Sequence, residues 1–130
     1  MARALPRVTE SQHQQALFEW WAIACRRYGL PEKALYHVPN EGKRSFSVAA
    51  RLKAEGMRSG VPDIVLAAPR GNYGALYIEL KTAKGRPTAE QLDYIDALRE
   101  CGNAAQVCYG WDEARRVVEA YLDGREIPLR

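Results

Sequence analysis

Two carboxylates and an ammonium group stand at spacings that could support metal chemistry: Pro62-Asp63, fifteen intervening residues, then Glu79-Leu80-Lys81. In an extended strand successive side chains alternate sides, so Glu79 and Lys81 share one face while Leu80 points to the other. If the stretches carrying Asp63 and Glu79 pair as a hairpin, Asp63 lies beside Glu79 on that same face. Burying so many charges is costly unless they are paired or bind a cation. Hard oxygen ligands suit Mg²⁺ or Mn²⁺, and the backbone carbonyl of Leu80 is placed to be a further ligand. Taken singly, Glu79-Lys81 reads as an exposed-edge ion pair and Pro62-Asp63 as a strand-entry turn. Together, on two strongly apolar stretches, they point to a site.

The elements that must position these residues follow from periodicity and turn chemistry. Thr9 with Gln12 forms a capping box that opens a helix running to about Tyr28, stopped by Gly29 and Pro31. Leu17, Trp21 and Ala24 form its core stripe, which Glu10 and Gln14 extend towards the helix start. Ala34–Val38 is a short strand ended by Pro39-Asn40-Glu41-Gly42, and Ser47–Glu55 a short basic helix closed by Gly56. Val61–Ala68 and Ala75–Lys81 read as buried strands joined by a turn-rich hairpin connection. Thr88 caps the next helix, with Gln91, Tyr94, Ile95 and Leu98 facing inwards and Gly102 as its stop. Ala104–Tyr109 is a further strand. Asp112 starts a last helix with Ala114, Val117, Val118 and Tyr121 on its apolar side, and residues 123–130 form a short tail. This order predicts a three-layer α/β domain, a small mixed sheet flanked by helices.

Composition limits the alternatives. A chain of 130 residues predicts a single domain, with its core at about 9–122. No apolar run approaches a membrane span, and MARALPRVTE lacks a signal-peptide core. Cys25, Cys101 and Cys108 form no C-x-x-C pair and read as reduced cytosolic thiols. The net charge of +3 is unevenly placed: Lys43, Arg44, Arg51, Lys53 and Arg58 precede the central motif, and Lys84 and Arg86 follow it. Such stretches suit a phosphate backbone, although a solvated charged face explains any one of them. His13 and His37 are too few for a three-His zinc site or a His-Asn-His nuclease, and no G-x-x-x-x-G-K-[ST] loop is present. His37, at a strand end, reads as structural.

The ordered set resembles the PD-(D/E)xK nuclease superfamily and, more narrowly, the virus-type replication-repair nuclease (VRR-NUC) family of stand-alone domains. The likeness is carried by Glu10 and Gln14, Pro39-Asn40-Glu41-Gly42-Lys43-Arg44, Gly60-Val61-Pro62-Asp63, Glu79-Leu80-Lys81, Thr88-x-x-Gln91 and Gly102, across roughly residues 9–110. The resemblance implies a restriction-endonuclease-like core and a divalent-metal phosphodiesterase acting on DNA. Asp63, Glu79 and the Leu80 carbonyl would hold the metal, Lys81 would position the attacking water, and Glu10 could contribute through a water. For Glu10 an alternative is simply a favourable carboxylate in a helix's first turn. Gln14, on the core stripe, leans towards a site role, whereas Gln91 is explained equally by its capping box.

The expected activity is endonucleolytic cleavage of branched or four-way (Holliday) junction DNA, read by shape and backbone because the domain has no separate DNA-reading module. A homodimer would set two active sites against two strands, with the surfaces around Trp20 and Trp111 as candidate contacts. An exonuclease or a flap- or nick-processing enzyme is the alternative within the class, and a catalytically idle DNA-binding accessory protein the alternative outside it. A stand-alone domain of this kind points to the cytoplasm of a bacterial or phage-infected cell.

Overall fold

The computed structural model describes residues 7–39 and 45–127. Helix α1 (Glu10–Ala24) opens with the expected reciprocal capping box: the Thr9 hydroxyl accepts from the Gln12 amide and the Gln12 side chain accepts from the Thr9 amide. Leu17, Trp21 and Ala24 are buried at helical spacing, and the Trp21 indole N–H donates to the Glu32 carbonyl at 2.8 Å. The helix tightens into a 3₁₀ turn at Cys25–Tyr28, so the chain stays helical as far as the sequence predicts, with a change of pitch at its end.

Strand β1 (Leu35–His37), helix α2 (Phe46–Ala54), strands β2 (Ile64–Leu66) and β3 (Leu76–Lys81), helix α3 (Ala89–Glu100), strand β4 (Ala104–Tyr109) and helix α4 (Trp111–Asp123) follow. The sheet order is β1-β2-β3-β4. The first three strands pair antiparallel, and β4 runs parallel to β3 after the α3 crossover. The result is the expected α/β architecture with a small mixed sheet. The β2–β3 connection is the expected hairpin, closed by Arg70 and Tyr73 exchanging backbone hydrogen bonds.

Alternation along β3 builds the layers. Leu76, Ile78 and Leu80 are buried with Leu17, Trp21, Val117, Val118 and Tyr121 of α1 and α4. Tyr77, on the other face, packs with Ile95 and Leu98 of α3 and with Ala105 and Val107 of β4. Glu79 and Lys81 continue that second face to the strand's end. The last helix starts one residue earlier than its composition suggests. The Trp111 amide donates to His13 Nδ1 at 3.1 Å, so an imidazole from α1 caps α4 where Gly110 has no side chain to offer. Beyond α4, Ile127 returns to pack against the core.

Strand β2 is far shorter than the apolar run 61–68 predicts. Pro62 has no N–H to give a ladder. One residue on, the Asp63 carboxylate takes the Leu80 amide at 3.0 Å and so supplants a backbone acceptor there. Pairing stops where the candidate chemistry begins.

Candidate active site

Register decides the central geometry. Ile64 pairs with Ile78, so the antiparallel ladder brings Asp63 level with Glu79, the arrangement the two motifs need. Because the Leu80 amide points at Asp63, the Leu80 carbonyl faces the same side of β3, where Pro62 can donate nothing to it. A hydrogen-bonded carboxylate oxygen, a second carboxylate and a main-chain carbonyl therefore meet at the end of the β2–β3 pair.

The two carboxylates line a cavity of about 110 Å³ formed by Glu10, His37, Val38, Val61, Asp63, Glu79, Lys81 and Gln91. Glu10 is the first residue of α1 and Gln91 the third of α3, so two helix N-termini converge on the pocket, and their partial positive charge favours anionic groups there. Gly60 holds this corner together. Its φ is +81°, and a Cβ added to it would stand 2.6 Å from the Glu90 carbonyl oxygen. Only glycine lets the 60–63 segment lie directly on the first turn of α3.

Asp63 is 9% and Glu79 3% exposed. Burial pushes the Asp63 carboxyl up to about 6, against the Leu80 amide, which favours the charged form. Burial and then the neighbouring Asp63 charge push Glu79 up to about 7, with Lys81 opposing them. Lys81 Nζ is 3.5 Å from Glu79 Oε2. The other oxygen, Oε1, is buried without a hydrogen-bond partner. An unpartnered buried carboxylate oxygen is destabilising, and the charge of Asp63, which lines the same cavity, adds to the cost. That donor set fits a hard divalent cation, which would satisfy Oε1 and neutralise the repulsion. Among the described residues no three His, Cys, Asp or Glu side chains form a ready-made metal cage. Asp63, Glu79 and the Leu80 carbonyl are the groups that would hold such a cation, with Glu10 near enough for its charge to raise both carboxyls.

The remaining sequence candidates divide. Gln91 lines the cavity and also closes the Thr88 capping box, its Oε1 accepting from the Thr88 amide at 2.9 Å. The capping reading is therefore observed, and it leaves the Gln91 NH₂ to donate elsewhere. Gln14 is half-buried one turn beyond Glu10 and does not line the cavity. Arg51, Lys53, Arg58, Lys84 and Arg86 are exposed. Arg58 borders a hollow that adjoins the cavity through Val38 and Val61, and Lys84 borders another with Arg7, Thr9 and His13. Lys43 and Arg44 lie outside the described residues. Trp20 and Trp111, candidates for a dimer contact, are half-buried against the core.

His37 has a larger place than its sequence context suggests. It lines the cavity, and its Nδ1 is 3.0 Å from the Asp63 carbonyl oxygen. That oxygen can only accept, so Nδ1 carries the proton and the ring braces the Asp63 backbone. The available signal is position alone: a polar ring at a strand end beside the turn-favouring stretch Pro39-Asn40-Glu41-Gly42, most of which lies outside the described residues.

The sequence model of the VRR-NUC domain matches residues 6–112. No curated protein matches the chain. Among solved structures, one described as "VRR_NUC domain protein" superposes with a TM-score of 0.80 at 27% identity, covering 95% of this chain and 96% of that one. No helix among the described residues is long and apolar enough to cross a membrane. The matched span contains every residue lining the acidic cavity, and on these grounds the chain belongs to the VRR-NUC family, a family of nucleases.

Proposed function

We propose that this protein is a divalent-metal-dependent DNA endonuclease of the PD-(D/E)xK type. The observation that carries the reading is Glu79 Oε1, buried and unpartnered beside Asp63 and opposite the Lys81 ammonium. A purely structural ion pair would have no use for a second buried carboxylate.

Asp63, Glu79 and the Leu80 carbonyl would hold Mg²⁺ or Mn²⁺, with Glu10 acting through a water. When bound, the cation acidifies the attacking water and offsets charge on the phosphate. The Leu80 amide fixes one oxygen of Asp63 and leaves the other to the cavity. Lys81, on the same strand face as Glu79, orients the attacking water and favours its deprotonation. The Gln91 NH₂ is placed to donate to a phosphate oxygen. In-line attack expels the 3′ oxygen and leaves a 5′-phosphate. Arg51, Lys53, Arg58, Lys84 and Arg86 hold the backbone on either side, with Lys43 and Arg44 contributing by sequence.

The favoured substrate is branched or four-way junction DNA, cut by a homodimer that sets one active site against each of two strands. Cys25, Cys101 and Cys108 form no disulfide, which accords with a reducing, cytoplasmic setting. Incubation with four-way, flap, nicked, single-stranded and duplex DNA in Mg²⁺ or Mn²⁺, beside a solution mass measurement, tests all of this. Cleavage confined to free ends or flaps would reassign the substrate. Binding of every DNA with cleavage of none would make the protein an idle accessory factor.

A further inference from the structure

Helix α2 stands outside the three layers. None of its nine residues is buried; among them only Val48 and Leu52 are half-buried, and the Ser45 hydroxyl caps the helix's own start by accepting from the Val48 amide. A helix this short is marginal without apolar contacts. Yet its largest apolar side chain, Phe46, takes no part in them and is 91% exposed.

A lone exposed aromatic needs no explanation. What distinguishes Phe46 is its company. At 100° per residue Phe46, Ala50 and Lys53 share the outward face, opposite Val48 and Leu52. Lys53 stands beside Phe46 on that face, Arg51 projects from the side of the helix nearer Val48, and Arg58 follows the helix, with only Glu55 to balance them. The helix then leads through Gly56 and Met57 into a hollow of about 250 Å³ lined by Val38, Arg58, Val61 and Tyr94. Val38 and Val61 of that hollow also line the carboxylate cavity. Phe46 therefore ends a basic path that begins at the site and runs ~12 Å along the helix.

We propose that Phe46 is a stacking platform for an unpaired base of the DNA substrate, which makes α2 the element that favours interrupted over intact duplex. The inference rests on the nuclease reading above. Lys53 beside the ring and Arg58 beyond the helix hold the backbone whatever its sequence, and an exposed ring offers a π-face to any base that is free of its partner. Stacked bases of an intact duplex cannot reach it, so the ring adds affinity only where pairing is broken. A hydrophobic contact between proteins would sit poorly beside the exposed Lys53 and the basic path that leads from it to Arg58.

The test compares wild type, F46A and F46W on two DNAs in EDTA: a duplex with 2-aminopurine in an unpaired bulge, and the same duplex fully paired. F46A is expected to weaken binding to the bulged DNA about tenfold or more while leaving the paired duplex within about twofold. Wild type and F46W should quench the 2-aminopurine, and F46A should not. Equal affinities of wild type and F46A for bulged DNA would overturn the proposal. So would a change in solution mass in F46A with DNA preference unaltered, which would assign the ring to a contact between copies. Cleavage in Mg²⁺ separates the two readings. If F46A cuts both DNAs as wild type does, only the stacking role fails; if wild type cuts no DNA, the nuclease reading fails and takes this one with it.

Discussion

Glu79 gives the sharpest quantitative expectation, because the protein holds it at a cost that depends on pH. Its folded pKa of about 7 lies above the ordinary 4.5. At about 1.4 kcal/mol per pKa unit the rise corresponds to roughly 3 kcal/mol. The sign follows from proton linkage: a carboxyl raised in the folded state gives up its proton first in the unfolded chain. Stability is therefore full below about pH 4.5 and is lost as pH rises through about 7. Asp63, raised to about 6, loses stability in the same direction over a slightly lower range. Glu79→Gln removes the titration and the repulsion with Asp63 while keeping the shape. Relative to wild type, the metal-free variant should gain about 3 kcal/mol between pH 4 and pH 9. Any fixed packing effect of the amide is common to both pH values and cancels. Urea unfolding in EDTA, followed by fluorescence of the buried Trp21, measures the difference directly. Added Mg²⁺ should then restore stability at high pH in wild type but much less in the variant. Parallel pH–stability curves for the two proteins would refute the whole account of a strained, cation-ready carboxylate pair.

Other expectations are simpler. Lys81→Ala should abolish most cleavage yet leave Mn²⁺ binding by calorimetry largely intact; an unchanged cleavage rate would remove Lys81 from the chemistry. Gly60→Ala forces a Cβ within 2.6 Å of the Glu90 carbonyl oxygen at a φ of +81°, and should cost about 1–3 kcal/mol in chemical unfolding. It should also lower cleavage, since the 60–63 segment carries Asp63. A wild-type-like melting curve for that variant would show that the close approach can relax. Arg51→Ala and Arg58→Ala should each weaken DNA binding and flatten the dependence of log affinity on log salt by about one unit. Unaltered slopes would mean that neither residue meets a phosphate.

Much of the molecule is legible in the residues themselves, because local rules carry it. Thr9 and Gln12, and again Thr88 and Gln91, declare helix starts through side-chain capping that needs no tertiary partner. Alternation along 76–81 fixes which residues share a face, so Glu79 and Lys81 belong together whatever surrounds them. The apolar run 61–68 overstates its strand for the converse reason: apolar content reports burial, whereas pairing depends on which backbone groups find partners. Pro62 and the Asp63 carboxylate settle that at one end, and the ladder closes after Leu66 at the other.

Tertiary structure decides what depends on distant segments meeting. Whether Asp63 stands level with Glu79 is a matter of register between strands, and a slip of one residue would have turned it to the opposite face. That Glu10 reaches the cavity while Gln14 does not depends on where the first turn of α1 lands, although both lie on one helical stripe. His37 beneath Asp63, His13 capping α4 and Gly60 against α3 are contacts between segments remote in the chain, which no local periodicity encodes. The sequence by itself determines the trio of two carboxylates and an ammonium group and the elements that bear them. Only the folded chain buries Glu79 with an oxygen left unpartnered, because desolvation is a property of everything packed around a group and not of the group itself.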